Sequence, residues 1–286
     1  MTTPQVTDLK IDQQTIASFE RDGFVVVEDL LDKSELARFG AAVDTAVARR
    51  SAGDTRDVEE KTLYEQSFIQ CMRMWEDDPE VRPLTFHPRI GAAAAALLGA
   101  DAVRIWQDQA LYKEAGGRET DAHQDLPFWP IREPDLVSAW IPFEASTRES
   151  GAMAYVPGSH RSGLNRFVDI THLMHPEPYD ILSDPAIADT KPVWVEAPAG
   201  SVVFHHSLTV HLAAPNRTDK TRRVFTIVYM ADGCVRSSGR PVLSLERDHV
   251  AVGDRIAGPG LPIAWPRAEG DLPEPPEQQG PGTGFL

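Results

Sequence analysis

From about residue 101 the chain stops setting its apolar residues at helical spacing. It begins to place them in short β-branched or alternating runs. Val103 and Ile105, LYK at 111–113, SAWIPFE at 138–144, AMAYVPG at 152–158, GSVVFHH at 200–206 and RVFTIVYM at 223–230 all have this form, and glycine, proline or aspartate separates them. Many short strands divided by such turns favour an antiparallel sandwich or barrel over a parallel sheet. What precedes them is largely helical. A helical stretch leads to GFVVV at 23–27, which reads as a strand, and Asp32 is placed to cap a helix over 33–50 with Leu36, Phe39 and Val43 at helical spacing. Residues 51–62 read as a loop, and Pro79, Pro83 and Pro88 punctuate the patches that follow up to residue 100. The expected organisation is a flexible N-terminus over 1–12, one domain over 13–256, and a Pro/Gly-rich tail over 257–286, with no internal repeat. The fold class expected is mainly β with flanking helices.

Composition removes several classes of function. Lysine and arginine number 28 against 43 aspartates and glutamates, a formal charge of −15 in 286 residues. Such a surface repels phosphate backbones and anionic headgroups, so neither nucleic acid nor a membrane is an expected partner. Two cysteines, Cys71 and Cys234, provide no disulfide framework and no cysteine-rich zinc site. The opening residues lack a basic region followed by an apolar stretch, and GAAAAALLGA at 91–100 is half a membrane span, so a cytoplasmic protein is expected.

Two segments concentrate chemistry. In AHQDLPF, His123 and Asp125 stand two apart, a spacing that puts an imidazole and a carboxylate on one face of a strand. With nine histidines in the chain, roughly one such spacing arises by chance; His175-Pro176-Glu177 is a decoy of similar form. The second segment, FHHSLTVHLAAPNRTDKTRRVFTI at 204–227, holds three histidines and two arginines opening a strand. Its bland reading is a hairpin with histidines at strand ends and a solvated basic patch. The sharper reading makes His211 a third ligand beside His123 and Asp125. Two histidines and a carboxylate form the facial triad of non-haem Fe(II) oxygenases, which leaves positions open for other ligands. A nearby arginine then has a use, because a guanidinium holds the remote carboxylate of a chelating organic cosubstrate with two parallel hydrogen bonds.

The chain resembles the phytanoyl-CoA dioxygenase family of Fe(II)/2-oxoglutarate oxygenases over roughly residues 19–230. FERDGFVVVEDLLD at 19–32 resembles the family's opening helix and strand. The stretch 123–163, with its Pro-Gly-Ser-His turn, resembles the core, and FHHSLTVHLAAPN with the following arginines resembles the distal motif. The resemblance implies a double-stranded β-helix, the jelly-roll or cupin-like core, with a helical N-terminal part. It implies His123, Asp125 and His211 as iron ligands and Arg222 as the cosubstrate clamp. Arg223 competes for that role, since only one of two strand neighbours faces inward. Trp140 and Gln109 match positions beside 2-oxoglutarate, with Gln107 and Lys113 on the face of Gln109. The family's small hydroxyl residue two positions after the distal histidine is here Ala213, and Thr209 is its expected substitute.

The activity so implied is a dioxygenase reaction with Fe(II), 2-oxoglutarate and O2, releasing succinate and CO2 and hydroxylating a small, largely apolar metabolite. Segment 159–192 is the expected lid, Phe128, Trp129, Met74 and Trp75 the expected pocket lining, and Gln70 a polar contact at the same mouth. His205 and His206 read as strand-end residues, one inward and one outward. A non-catalytic or differently metallated jelly-roll binding or sensor protein is the alternative, and a halogenase is disfavoured because Asp125 is present. Substrate identity, whether it is a CoA ester, an outcome beyond hydroxylation, and oligomeric state stay open at this point.

Overall fold

The computed structural model describes residues 11–175, 177–268 and 270–277. Its helical opening follows from local signals. Helix α1 (Gln13–Asp22) is capped by Asp12, whose carboxylate accepts from the Thr15 amide at 2.7 Å. It ends at Gly23, and β1 (Phe24–Val27) follows. Gly23 has φ +82°, and a Cβ there would lie 2.4 Å from the Thr209 hydroxyl, so no side chain fits. Helix α2 (Lys33–Ser51) begins with a capping box. Asp32 accepts from the Ser34 and Glu35 amides, and the Glu35 carboxylate accepts from the Asp32 amide. Strand β2 (Ile69–Met72), the short helices α3 (Met74–Asp77) and α4 (Arg82–Thr85), and α5 (Pro88–Leu98) follow. Pro88 opens α5, where its missing N–H has no helical partner to lose.

The remaining strands are β3 (Val103–Lys113), β4 (Thr120–His123), β5 (Leu136–Pro142), β6 (Met153–Tyr155), β7 (Val193–Val195), β8 (Val202–His206), β9 (His211–Ala213), β10 (Arg222–Ala231) and β11 (Ile263–Trp265), with α6 (Leu243–Arg247) before the last. One sheet runs β1-β8-β5-β10-β3-β11, with β2 also beside β3; the other runs β4-β9-β6-β7. Every pairing between these strands is antiparallel. This is the jelly-roll arrangement expected of the sequence.

Side-chain alternation builds the layers. Val137, Ala139 and Ile141 of β5, with Phe225, Ile227 and Tyr229 of β10, join one core with the helices. Ser138, Trp140, Arg222, Thr226 and Val228 lie on the opposite face and line a cavity between the sheets. In β3 the register with β10 slips: Gln107 faces Val228, but Ile105 faces Tyr229. Trp106 is the extra residue of this β-bulge, and the bulge turns it to the cavity side beside Gln107.

Two expectations are corrected here, and several short strands are added. The runs at 103–105 and 111–113 are the two ends of one strand. Strands β2, β4, β7, β9 and β11 have three or four residues each, too few to show a period in sequence. The segment from 257 continues the domain rather than leaving it as a tail. Strand β11 pairs with β3, and Leu261, Ala264 and Trp265 are buried. Three apolar residues suffice because the sheet edge and α5 already supply the other wall; a Cβ on Gly91 of α5 would sit 3.3 Å from that of Trp265. The expected flexible residues 1–10 and the end of the tail, 278–286, lie outside the described residues. Among the described residues no helix is long and apolar enough to cross a membrane.

Candidate active site

His123 ends β4, His211 begins β9, and the two are direct partners in the antiparallel ladder. Their rings therefore meet, with centroids 4.2 Å apart. Asp125 reaches them by a route different from the strand alternation expected. It lies beyond the end of β4 with helical dihedrals (φ −76°, ψ −45°), at the start of a 3-10 turn over Leu126–Phe128. Its amide donates to the Ser207 carbonyl at 3.0 Å, which fixes the turn. One ligand atom from each of His123, Asp125 and His211 lies within 4.8 Å of the others. Asp125 Oδ1 is 3.8 Å from His123 Nε2 and 3.7 Å from His211 Nε2.

Hydrogen bonds decide which nitrogen is free. His123 Nδ1–H donates to the Asp121 carbonyl at 2.8 Å, and His211 Nδ1–H donates to the Thr209 carbonyl at 2.9 Å. A carbonyl accepts only, so each neutral ring carries its proton on Nδ1 and turns the Nε2 lone pair toward Asp125 Oδ1. Burial pushes both imidazoles down to about 4. For Asp125, burial alone would raise the carboxyl. Its histidine neighbours His211, His205 and His123, together with the hydrogen bond from His205, outweigh it and hold the carboxyl below the usual range. Two neutral imidazoles facing one carboxylate are the protonation states that metal binding requires.

The same cavity runs along β10 to Arg222. Arg222 is buried, donates to the Gly151 carbonyl at 2.8 Å, and lies 5.4 Å from the Trp140 ring. Among the described residues its Nε has no hydrogen-bond partner, nor does the hydroxyl of Thr226 further along the strand. Burial lowers the guanidinium only to about 10, so it stays cationic. Thr226 stands between Gln109 of β3 and Trp140 of β5 in the ladder, and all three line the cavity. Gln109 accepts from Gln70 Nε2 at 2.7 Å, and Gln70 in turn accepts from the Tyr64 hydroxyl at 3.2 Å.

Of the two neighbouring arginines, Arg222 faces the cavity, whereas Arg223 points outward and pairs with Glu144 and Asp44. Thr209 does not join the cosubstrate end. Its hydroxyl donates to the Gly23 carbonyl at 2.7 Å, on the side of α1. Lys113 is buried beside Arg222, its Nζ donates to the Arg118 carbonyl, and burial together with Arg222 lowers it to about 6. Phe128 and Trp129 line the cavity, whereas Met74 and Trp75 belong to the helical core. His205 points inward and His206 packs outward against Phe19 and His160.

Trp106, Thr226 and Gln124 are among the residues that sequence reasoning missed. Trp106 needed the bulge, and Thr226 needed the ladder. Gln124 stands between the two motif residues, and no spacing in the sequence marks it. Its side chain is buried, donates to the Leu164 and Leu208 carbonyls, and accepts from the Arg166 amide. It thereby ties segment 159–192 to the metal motif. Ile170 of that segment lines the cavity, and Val168, Ile170, Ile181 and Ile187 pack with Tyr64, Phe68 and Phe128.

Comparisons with known proteins identify the family and the fold. Residues 19–224 match the family model described as Phytanoyl-CoA dioxygenase (PhyH). The Caenorhabditis briggsae phytanoyl-CoA dioxygenase domain-containing protein 1 homolog is 26% identical over 259 residues, covering 74% of this chain and 88% of its own. Against several other curated relatives the chain spans little more than half their length. Among solved structures, the non-haem α-ketoglutarate-dependent carbocyclase SnoK from nogalamycin biosynthesis superposes with a TM-score of 0.71 at 27% identity, over 88% of this chain and 96% of its own. The epimerase SnoN, solved in complex with Fe3+, α-ketoglutarate and nogalamycin RO, gives 0.69 at 26% identity over 88% and 98%.

Proposed function

The chain belongs to the phytanoyl-CoA dioxygenase family of Fe(II)/2-oxoglutarate-dependent oxygenases, and on that premise we propose that it hydroxylates a small, largely apolar metabolite, with His123, Asp125 and His211 holding the iron. The observation that carries this reading is the convergence of two Nε2 lone pairs and one carboxylate oxygen in a cavity that also holds a buried arginine with an unpartnered Nε. The donor set fits iron: two imidazoles and one carboxylate occupy one side and leave the other side open. When bound, Fe(II) and 2-oxoglutarate supply the oxidising power, as O2 is consumed and 2-oxoglutarate becomes succinate and CO2.

The chain's own residues bind, orient and exclude water. Arg222 takes the far carboxylate of 2-oxoglutarate as a charge-assisted pair, and Trp140 packs against the guanidinium. Thr226 donates the hydrogen bond that Ala213 cannot, so the hydroxyl comes from β10 rather than from the residue after the distal histidine. Gln109, held by Gln70, closes the polar side. Beyond the metal ligands, Tyr64, Phe68, Trp106, Phe128 and Trp129 form an aromatic wall, with Ile170 contributed by segment 159–192 as a lid. Such a wall favours an apolar, ring-bearing substrate and keeps water from the reacting C–H bond. Nogalamycin biosynthesis, named for two structural neighbours, supports the same class.

The test is succinate release by the Fe(II)-loaded protein while ring-bearing apolar compounds are added one at a time. Some of them raise succinate above the rate without substrate and yield a product heavier by one oxygen atom. Stimulation by small polar compounds or CoA esters alone would contradict the substrate class.

A further inference from the structure

Asp125 has a second oxygen, and the large sheet grips it. Oδ1 faces the two histidines, while Oδ2 accepts from the Ser138 hydroxyl at 3.0 Å and from His205 Nε2–H at 3.3 Å. Ser138 and His205 are cross-strand partners on β5 and β8, so both donors stand on one rung. The other nitrogen of His205 accepts from the Tyr155 hydroxyl at 3.4 Å. One tautomer satisfies both contacts, with the proton on Nε2. Tyr155 lies opposite His211 in the small sheet and stacks on Phe24, ring centroids 4.7 Å apart. The chain Tyr155–His205–Asp125 therefore runs from the small sheet to the large one and back to the loop after β4. All three imidazoles crowd together, with His205 4.5 Å from His211, yet His205 stands behind the carboxylate and outside the group of mutually close ligand atoms.

We propose that His205 is a positioning residue for the metal centre: oriented by Tyr155, it holds Asp125 Oδ2 away so that Asp125 binds through Oδ1 alone. A carboxylate free to rotate would offer both oxygens and occupy a position that the cosubstrate or O2 needs. With Oδ2 held by two donors, rotation breaks two hydrogen bonds in a buried site. Outer-sphere partners of this kind set metal affinity through the ligand they hold. This inference rests on the ligand assignment proposed above.

The test uses the full-length protein freed of metal and titrated with Ni(II). His205→Phe keeps an aromatic ring and removes the donor; it weakens Ni(II) binding about 10- to 100-fold, while the melting temperature of the metal-free protein stays near the parent's. His205→Gln, which keeps an N–H donor, recovers most of the affinity. In the Co(II)-loaded protein, His205→Phe also lowers the visible band intensity, as the carboxylate swings to bind through both oxygens. Parent-like Ni(II) affinity in His205→Phe, or a His205→Gln variant as weak as His205→Phe, overturns the proposal. Should His205→Phe fail to fold, Tyr155→Phe decides: it leaves His205 in place without its orienting donor and weakens Ni(II) several-fold, and no weakening overturns the proposal. Asp125→Ala is measured alongside. If it binds Ni(II) normally, the ligand assignment has failed; if it loses the metal while His205→Phe does not, only the positioning role has.

Discussion

Arg222 and Arg223 are chemically identical neighbours on β10, and only the ladder separates their roles. Arg222 is buried with an unpartnered Nε; Arg223 reaches Glu144 and Asp44 at the surface. Arg222→Ala is expected to raise the KM for 2-oxoglutarate about 10- to 100-fold, the worth of hydrogen bonds to a charged group. Arg223→Ala should leave that KM unchanged and cost less than about 1 kcal/mol in stability. Succinate assays over a range of 2-oxoglutarate check both; an effect from Arg223→Ala alone would reverse the assignment. Thr226→Val should raise the same KM about 5-fold, the loss of one ordinary hydrogen bond, and Thr209→Val should not. The candidate ligands His123 and His211 and the candidate clamp Arg222 are legible in sequence because motif spacing carries them. Thr226 is not, because it becomes notable only through its ladder partners, Gln109 and Trp140. Strand alternation does not account for the approach of Asp125 to His123; a turn beyond the end of β4 brings them together.

Elements were legible in proportion to their length and to how local their signals are. The capping box of α2 lies within four residues and fixed that helix start before any tertiary contact. Strands β6, β7, β9 and β11 have three residues each and exist only because a neighbour supplies the other half of each ladder. Strand β11 has the largest consequence. Trp265→Ala should destabilise the protein by about 3–5 kcal/mol, as buried tryptophan truncations do, measured by denaturant unfolding; a loss under about 1 kcal/mol would return the segment to a loose tail. Segment 159–192 reaches the cavity through Ile170 and is tethered by Gln124. Shortening it should reduce substrate turnover more than metal affinity, and equal loss of both would contradict its role as a lid.

For the whole molecule, acid sensitivity and metal loading both act through histidines held neutral by burial. Burial pushes His206 down to about 4, followed by the effects of His160 and His205, and its Nδ1 accepts the Leu208 amide at 3.1 Å. An unfolded histidine titrates near 6.5, so on acidification the unfolded chain takes up this proton first. The stability His206 contributes is complete above about pH 6.5 and is lost as pH falls toward 4, on the order of 2 kcal/mol. Melting temperature should fall less steeply across that window in His206→Gln, and parallel curves would contradict this. His123 and His211 act in the same direction in the metal-free protein. Metal at 100 times its dissociation constant should stabilise the fold by about 2.7 kcal/mol. The most direct test of the central claim is an anaerobic titration of the metal-free protein with Fe(II) and 2-oxoglutarate, watching for the weak visible charge-transfer band of the chelate. The band should form with the parent protein and be absent from Asp125→Ala and His211→Ala. A folded protein that binds iron without giving the band, or variants that keep it, would contradict the assigned centre.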